Sequence, residues 1–474
     1  MKYDVVIGIE IHCELKTKTK MFSGAPASFG QRANTCVNEI ELAHPGTLPA
    51  SNKTAVRYAI MASTALNMKV DTRVKFDRKN YYYSDLAKGY QITQQFHPIG
   101  SDGYLDIETD EGTKRIRIER LHMEEDTAKQ YHLDEKTLID YNRSGTPLVE
   151  IVSKPDISSG KEAAAYVSKL RETLFYLGVS DVKMEEGSMR CDVNISLKPA
   201  GSPVYGTRVE IKNLNSISNV QKAIDEEIKR HSSVYDAGGS IEQETRRFDE
   251  ATQTTVSMRK KEGAVDYKYF PEPNIFPIQL DLDWVKSIQD NLPELPDQRR
   301  ARYMKDYGLG SYDANVLTSN KDLSDFYEEV CKVAKDGKIA ANWCISELSG
   351  ALAKRNETLS TMKLSAVHLG TLVNMILDKE ISGKQAKEVF EDVLEGKDPK
   401  EVAAAKGMKQ VSDSSAILSL INQVLDENPQ SIVDFKNGKS RAVGFLVGQV
   451  MKKSKGQANP AMTNQLLTEE LKKR

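Results

Sequence analysis

Residues 5–15 read VVIGIEIHCEL, and this stretch decides how the first part of the chain folds. Side chains of a β-strand alternate between its two faces, so every second residue shares an environment. One face would carry only apolar residues and a cysteine, namely Val5, Ile7, Ile9, Ile11, Cys13 and Leu15. The other face would carry Gly8, Glu10, His12 and Glu14. The stretch therefore predicts a strand that covers a core on one side and presents two carboxylates and an imidazole on the other.

The same division recurs in four later segments, at residues 115–126, 148–152, 190–197 and 207–212. The polar sides of the last three segments hold Glu150, Arg190, Asp192, Asn194, Ser196, Arg208, Glu210 and Lys212. The first segment ends in Glu124, Glu125 and Asp126, and the alternation leaves the faces of these three residues open. Together the segments predict an antiparallel sheet with helices on one face and an open, charged opposite face.

The chain changes character near Pro293 and Pro296, two residues that disfavour a continuing helix. Beyond about residue 298 the pattern is almost wholly helical, and a loop at residues 396–407 marks a second boundary. A length of 474 residues suits two or three domains. We expect an α+β chain with a strand-rich domain over residues 1–292, a helical domain over 293–407 and a helical tail over 408–474.

Composition excludes several classes of protein. Apolar residues make up 39% and charged residues 28%, and no apolar run approaches the ~18 residues of a membrane span. The first residues do not resemble a signal peptide, so we expect a cytoplasmic protein with no membrane partner. The five cysteines include no C-x-x-C pair, which favours a reducing compartment. A net charge of −2 means that any nucleic-acid surface is local.

A local basic region occurs at the end of the chain, where residues 436–474 hold nine Lys or Arg against two Glu. The candidate nucleic-acid-binding cations are Lys436, Lys439, Arg441, Lys452, Lys453 and Lys455. They can form a solvated helix face, or they can contact a phosphate backbone and gain affinity by releasing condensed counterions.

The charged strand face suits a divalent cation. Mg²⁺ prefers carboxylate oxygens, and an ATP-using site needs such a cation together with Lys or Arg beside the phosphates. A half-solvated sheet is the alternative reading of these strands. Residues 76–85, FDRKNYYYSD, add cations and three tyrosines, which can pack as core or stack on a base. The chain has no G-x-x-x-x-G-K-[ST] and no G-x-S-x-G, so neither a P-loop ATPase nor a nucleophile elbow is indicated.

Nine stretches, in this order, resemble the B subunits of the GatCAB tRNA-dependent amidotransferases. They include VIGIEIHCELKTKTKMF, KFDRKNYYYSDLAKGYQITQ, RLHMEEDTAK, IDYNRSGTPLVEIVSKPD, MEEGSMRCDVNIS and GTRVEIKNLNSI. Together they cover most of residues 3–300. The resemblance implies a glutamine-synthetase-like cradle domain with a mainly antiparallel sheet, followed by an all-helical domain and a YqeY-like helical tail.

The resemblance also implies a reaction. ATP would phosphorylate the side-chain carboxylate of misacylated Glu-tRNA(Gln) or Asp-tRNA(Asn), and ammonia would then displace the phosphate to give Gln-tRNA(Gln) or Asn-tRNA(Asn). The implied cofactors are ATP and Mg²⁺. The implied partners are the glutaminase subunit GatA, the small subunit GatC and the misacylated tRNA, with no DNA. The chain would then be one subunit of a heterotrimeric ligase.

Family positions carry over to particular residues of this sequence. Glu10, His12 and Glu125 match the Mg²⁺ ligands. Other acidic positions of the site are matched by Glu124, Glu150, Asp192 and Glu210. Contacts to phosphate or to the aminoacyl end are implied for Lys79, Tyr82 and Arg208, with Asn194 assisting.

One departure concerns a zinc site that many relatives hold in cysteine pairs after the first strand. Here the corresponding residues read FSGA at 22–25 and NEIE at 38–41, and Cys36 is off pattern. We therefore expect no zinc and a loop held by packing alone.

Two other functions fit parts of the sequence. A free-standing ATP-dependent ligase could amidate a small acid, although the long helical tail with its basic end argues against it. A non-catalytic tRNA-binding protein would gain nothing from the acidic groups beside His12.

Overall fold

The computed structural model describes residues 2–260, 266–408, 414–436, 441–454 and 458–474. The chain forms two compact units, Met1–Pro296 and Asp297–Arg474. In the residues that the structure describes, no helix combines the length and the apolar character that a membrane crossing requires.

The first unit contains all sixteen strands found in the described ranges. In chain order they are β1 Tyr3–Glu14, β2 Lys69–Val70, β3 Arg73–Val74, β4 Asp77–Asn80, β5 Tyr90–Thr93, β6 Gly100–Thr109, β7 Gly112–Glu125, β8 Lys129–His132, β9 Thr137–Asp140, β10 Pro147–Ser153, β11 Met189–Pro199, β12 Val209–Leu214, β13 Glu244–Asp249, β14 Thr254–Lys260, β15 Phe270–Pro271 and β16 Ile278–Gln279. Nine of them form one sheet in the order β14-β13-β12-β11-β1-β10-β7-β6-β2. Its pairs are antiparallel except β12 with β13.

The core of the first unit lies between the apolar face of this sheet and the helices that cover it. These helices are α1 Lys53–Ala65, α2 Gly160–Tyr176 and α3 Ile217–Asp236, and α4 Leu282–Asp290 packs against α1. Ile7, Ile9 and Ile11 of β1 are completely buried, in one cluster with Val167 and Leu170 of α2. Burial of such apolar side chains stabilises the layered arrangement. The predicted α+β fold with a mainly antiparallel sheet is confirmed.

The loop after β1 is held differently from our expectation. The carboxylate of Glu41 is almost completely buried and accepts hydrogen bonds from Ser23 Oγ and, at 3.0 Å, from the Asn38 amide. A second hydrogen bond holds the loop, in which Asn142 Oδ1 accepts from the backbone N–H of Cys36 at 2.8 Å. A buried charge needs such hydrogen bonds to offset its lost hydration. The prediction of packing alone was wrong, because polar contacts to a buried carboxylate fasten this loop.

The second unit is helical throughout its described residues, as predicted. Its helices are α5 Pro296–Asp306, α6 Ser311–Thr318, α7 Lys321–Cys331, α8 Gly337–Asn342, α9 Ser349–Arg355, α10 Ala366–Leu377, α11 Gly383–Val393, α12 Pro399–Ala405, α13 Ser414–Glu427, α14 Pro429–Lys436, α15 Arg441–Lys453 and α16 Pro460–Lys473. A π-helical turn, Trp343–Leu348, joins α8 to α9. One buried apolar cluster runs from Tyr303 to Ala403 and another from Ile417 to Leu471. The domain ranges 1–292, 293–407 and 408–474 stay predictions.

Candidate functional site

Four polar residues form one lateral row across the middle of the large sheet. His12 of β1 lies opposite Glu150 of β10 on one side and opposite Arg190 of β11 on the other. Glu150 in turn lies opposite His122 of β7. Residues that oppose each other in paired strands point to the same face. The pairing therefore gathers groups that are more than a hundred residues apart in sequence.

Glu124 contacts two imidazoles of this row, and we call His12, His122, Glu124 and Glu150 the carboxylate–imidazole cluster. Glu150 Oε2 lies 3.4 Å from His12 Nε2 and 3.1 Å from His122 Nε2. Glu124 lies 3.8 Å from His12 and 3.4 Å from His122 through its two oxygens. His122 and Glu124 are nearly inaccessible to solvent. The Nε2 of each imidazole is thus within ion-pair distance of both carboxylates.

Neighbouring opposite charges shift the pKa values of the groups in the cluster. Burial lowers the pKa of His122, but the charge of Glu150 and hydrogen bonds to Glu124 and Glu150 outweigh it and raise that pKa to about 9. Burial also lowers the pKa of His12, but its hydrogen bond to Glu150 has the larger effect, so the pKa of His12 is raised. Burial raises the pKa of Glu150, but the two imidazoles hold it well below its usual range. A metal ion that takes the His12 nitrogen as a ligand must compete with a proton for that atom.

The donor set of the cluster fits a divalent metal ion. One ligand atom from each of His12, Glu124 and Glu150 lies within 4.8 Å of the others. Two carboxylates suit Mg²⁺, which keeps several waters, or Mn²⁺, and the imidazole adds a donor that suits Zn²⁺.

Glu125 is turned away from this set. Its Oε1 accepts hydrogen bonds from the Lys88 ammonium and, at 3.0 Å, from the Ile92 amide. Glu124 and Glu125 are neighbours in one strand, so their side chains leave opposite faces. The predicted metal ligands Glu10, His12 and Glu125 therefore do not come together in one site. Instead, Glu124 and Glu150 lie beside His12.

Glu10 extends the polar face toward β11 and β12. Its Oε1 accepts a hydrogen bond of 2.9 Å from Asn194 Nδ2. Burial, and then the charges of Glu150 and Asp192, raise the pKa of Glu10 above its usual range. Further along, Lys212 Nζ lies 2.6 Å from Asp192 and 3.0 Å from Glu210. The sequence-predicted acids Asp192 and Glu210 therefore share one ammonium group.

Three predicted contact residues lie outside the cluster. The Lys79 ammonium sits 4.7 Å from the centre of the Tyr267 ring. Tyr82 is 91% exposed and lines a shallow pocket with Lys88. Arg208 is exposed just before β12. Over the described ranges, no hydrogen bond or ion pair joins any of the three to the carboxylate–imidazole cluster.

The tail cations are partly engaged. Lys453 pairs with Glu427, and Lys436 donates to the backbone oxygen of Arg474. Arg441 and Lys452 are exposed. The candidates Lys439 and Lys455 lie outside the described residues.

Sequence reasoning overlooked His122 and did not assign Arg190 or Lys212 to the site. His122 alternates with Glu124 in RLHMEED, so the period-two pattern could have revealed it. Arg190 donates to Asp126 Oδ2 at 2.7 Å. Beside them, burial and then the charge of Asp126 raise the pKa of Glu14 to about 7. These contacts depend on strand pairing and leave no local signal.

Comparison with known proteins bears on the whole chain. Residues 5–286 match the family model described as the GatB/GatE catalytic domain, and residues 325–471 match the model described as the GatB domain. The chain is 52% identical to the B subunits of the aspartyl/glutamyl-tRNA(Asn/Gln) amidotransferases of Macrococcus caseolyticus and Staphylococcus carnosus, over 475 residues in each case. It is 52% identical to the corresponding B subunit of Bacillus licheniformis over 476 residues. Each alignment covers all of both chains.

Proposed function

The chain belongs to the family of aspartyl/glutamyl-tRNA(Asn/Gln) amidotransferase B subunits, and from this membership we propose that it activates and amidates Glu or Asp carried on a misacylated tRNA. The resemblance read from the nine sequence stretches agrees with that membership. The observation that carries the proposed chemistry is the convergence of His12, Glu124 and Glu150 on one face of the sheet.

The first proposed step gives the substrate a leaving group. A side-chain carboxylate is a poor acyl donor, and transfer of the terminal phosphoryl group of ATP converts it to an acyl phosphate. Glu124, Glu150 and His12 would hold Mg²⁺, and the ion would supply positive charge to offset the charge that develops on the phosphates. We propose that Lys79 and Arg208 contact the phosphates and that Tyr82 contacts the aminoacyl end of the tRNA.

The second proposed step forms the amide bond. Ammonia attacks the acyl carbon, phosphate leaves, and the attacking nitrogen gives up a proton. Glu10 suits the role of proton acceptor because its pKa is raised and Asn194 orients its carboxylate at 2.9 Å. Asp192 and Glu210, with Lys212 between them, would complete the charged wall on that side.

The proposed function includes partners. Ammonia would come from glutamine hydrolysed in GatA, and GatC would join the two larger subunits. Residues 408–474 would contact the tRNA through exposed cations such as Arg441 and Lys452. Because its substrates are aminoacylated tRNAs of translation, we place the reaction in the cytoplasm.

The test is transamidation by the complex assembled with GatA and GatC. Both misacylated tRNAs are supplied, with ATP or Mg²⁺ omitted in turn. We expect Glu150→Gln to lower amide formation roughly a hundredfold or more while glutamine hydrolysis continues, because only the activation step loses its cation site. Glu111→Gln, an exposed change in the turn before β7, is the matched control.

Three results would contradict the proposal. Normal transamidation by Glu150→Gln would remove the cluster from the chemistry. ATP turnover on a free small acid without tRNA would favour the free-standing ligase, and tRNA binding without ATP turnover would favour the binding protein.

A further inference from the structure

A small cavity lies between α1 and α4, on the side of the large sheet that the helices cover. Its volume is about 180 Å³. Its walls are formed by Arg57, Met61, Trp284, Ser287, Ile288 and Asn291. Ala59 and Ile60 of α1 belong to the same buried cluster as Ile7 of β1, so α1 packs on the apolar face of the sheet. The sheet therefore separates this cavity from the carboxylate–imidazole cluster.

Helix geometry brings the residues of the cavity together. Residues three, four and seven apart lie on the same face of a helix. Arg57 and Met61 are four apart in α1. The residues from α4 and its C-cap stand at i, i+3, i+4 and i+7, counted from Trp284. One face of each helix therefore borders the cavity, and both faces belong to the first unit.

The cavity has an apolar floor and one aromatic wall. Met61 and Ile288, one from each helix, are buried. Trp284 is half-buried, and the Lys53 ammonium lies 5.1 Å from the centre of its ring. A flat apolar group that packs against this indole removes apolar surface from water, which favours its binding.

Two cations lie at the rim. Lys53 and Arg57 are exposed and four apart on α1. Over the ranges that the structure describes, no carboxylate forms an ion pair with either side chain. Like charges at this spacing repel each other on a helix. A bound anion would relieve the repulsion, and a guanidinium can hold a carboxylate through two parallel hydrogen bonds.

The polar side chains of α4 at the cavity are fixed by hydrogen bonds. Ser287 Oγ donates to the Trp284 carbonyl at 2.7 Å, and Asn291 Nδ2 donates to the Ser287 carbonyl at 2.7 Å. The serine hydroxyl can still accept a hydrogen bond, and the amide of Asn291 has a second N–H to donate. A ligand with polar atoms would therefore meet partners that are already oriented.

We propose that this cavity binds a small organic acid, with a flat apolar ring against Trp284 and a carboxylate at Arg57. Pockets for drug-sized ligands enclose ~300–1,000 Å³, and this smaller cavity limits the ligand to a ring with its acidic group. The inference goes beyond the proposed function and does not rest on it, because the cavity contains none of the residues assigned to transamidation.

The test is fluorine NMR on the complex assembled with GatA and GatC, with three probes. The probe 4-fluorobenzoate has the ring and the charge, 4-fluorobenzyl alcohol has the ring alone, and trifluoroacetate has the charge alone. Broadening of each fluorine signal as the complex is added gives the dissociation constant. We expect 4-fluorobenzoate to bind roughly tenfold more tightly than either other probe, because it alone uses both the indole and the guanidinium.

Two variants separate the contributions of charge and ring. Arg57→Gln should weaken 4-fluorobenzoate binding roughly tenfold and leave 4-fluorobenzyl alcohol unchanged, because a charge-assisted hydrogen bond is lost. Trp284→Leu should weaken binding of both ring probes, and its Tm shows whether the first unit stays folded. Arg32→Gln is the matched control, since Arg32 is an exposed arginine of the same unit and lies outside the cavity. This control should bind all three probes like the wild type.

Three results would overturn the inference. Equal affinities for trifluoroacetate and 4-fluorobenzoate would reduce the site to a surface cation. Unchanged 4-fluorobenzoate affinity in Arg57→Gln would place the probe elsewhere in the complex. Absence of 4-fluorobenzoate binding from the wild-type complex would mean that the cavity takes no such acid or is covered by a partner subunit. Transamidation by the wild-type complex is measured in parallel, so failure of the proposed function is seen separately.

Discussion

Replacement of His122 by Asn should change how the stability of the first unit depends on pH. In the folded chain the His122 imidazole binds Glu124 and Glu150 at 3.4 and 3.1 Å, and its pKa is raised to about 9. In the unfolded chain the pKa of His is about 6.5. The side-chain NH₂ of Asn can donate hydrogen bonds to these carboxylates but cannot take up a proton.

The sign follows from the raised pKa. Protonated His122 stabilises the folded state fully below about pH 6.5, and this contribution is lost as the pH rises through about 9. The interval between the two pKa values corresponds to about 3 kcal/mol. The lowered pKa of Glu150 results from the same contact with His122, so it is not counted a second time in the free energy of unfolding. We expect the destabilisation caused by His122→Asn to be about 3 kcal/mol larger at pH 6 than at pH 10.

Urea unfolding measures this difference when the signal comes from the first unit alone. The chain has two tryptophans, Trp284 in the first unit and Trp343 in the second. A Trp343→Phe background therefore leaves fluorescence from Trp284 only. EDTA removes divalent ions, which would compete for the same carboxylates. His44→Asn, at an exposed imidazole, is the control. A destabilisation by His122→Asn that is the same at both pH values would refute the assigned charge state of the cluster.

Three further predictions concern the cluster, the loop after β1 and the tail. Glu124→Gln should weaken Mn²⁺ binding, measured by electron paramagnetic resonance, roughly tenfold or more. If Mn²⁺ binding is lost only in Glu125→Gln, the metal ligands are Glu10, His12 and Glu125, as predicted from the sequence. Glu41→Gln should lower the free energy of unfolding by about 1–3 kcal/mol, because it removes a buried charged acceptor, while exposed Glu39→Gln should not. Replacing Arg441 and Lys452 by Ala should weaken binding of charged tRNA and flatten its salt dependence; an unchanged salt slope would argue against a tail contact.

Much of the first unit could be predicted because its strands carry their environment in their alternation. The row Ile7, Ile9 and Ile11 is apolar in sequence and completely buried in the structure. The same local rule placed Glu10 and His12 on the opposite side. Alternation predicts which face a side chain occupies only within a strand. Glu124 and Glu125 are the last two residues of β7, so the sequence left their faces open.

The loop after β1 shows a different limit. The sequence revealed that the cysteines of a zinc site are missing, but it gave no sign of what replaces them. The ties to Glu41 and Asn142 join residues 18 and 106 positions apart in the chain. Such hydrogen bonds depend on how loops pack together, and no pattern in the chain encodes them.

Local sequence patterns were enough to predict the class of the fold, the apolar and polar faces of its strands and the kind of chemistry that the polar face suits. These follow from covalent geometry and side-chain polarity, which act within a few residues. Three-dimensional contacts were needed to show that His12, Glu150 and His122 lie in one row, that Glu124 contacts them and that Glu125 binds Lys88 instead. Strand register sets these neighbours, and register arises from hydrogen bonds between segments that are distant along the chain.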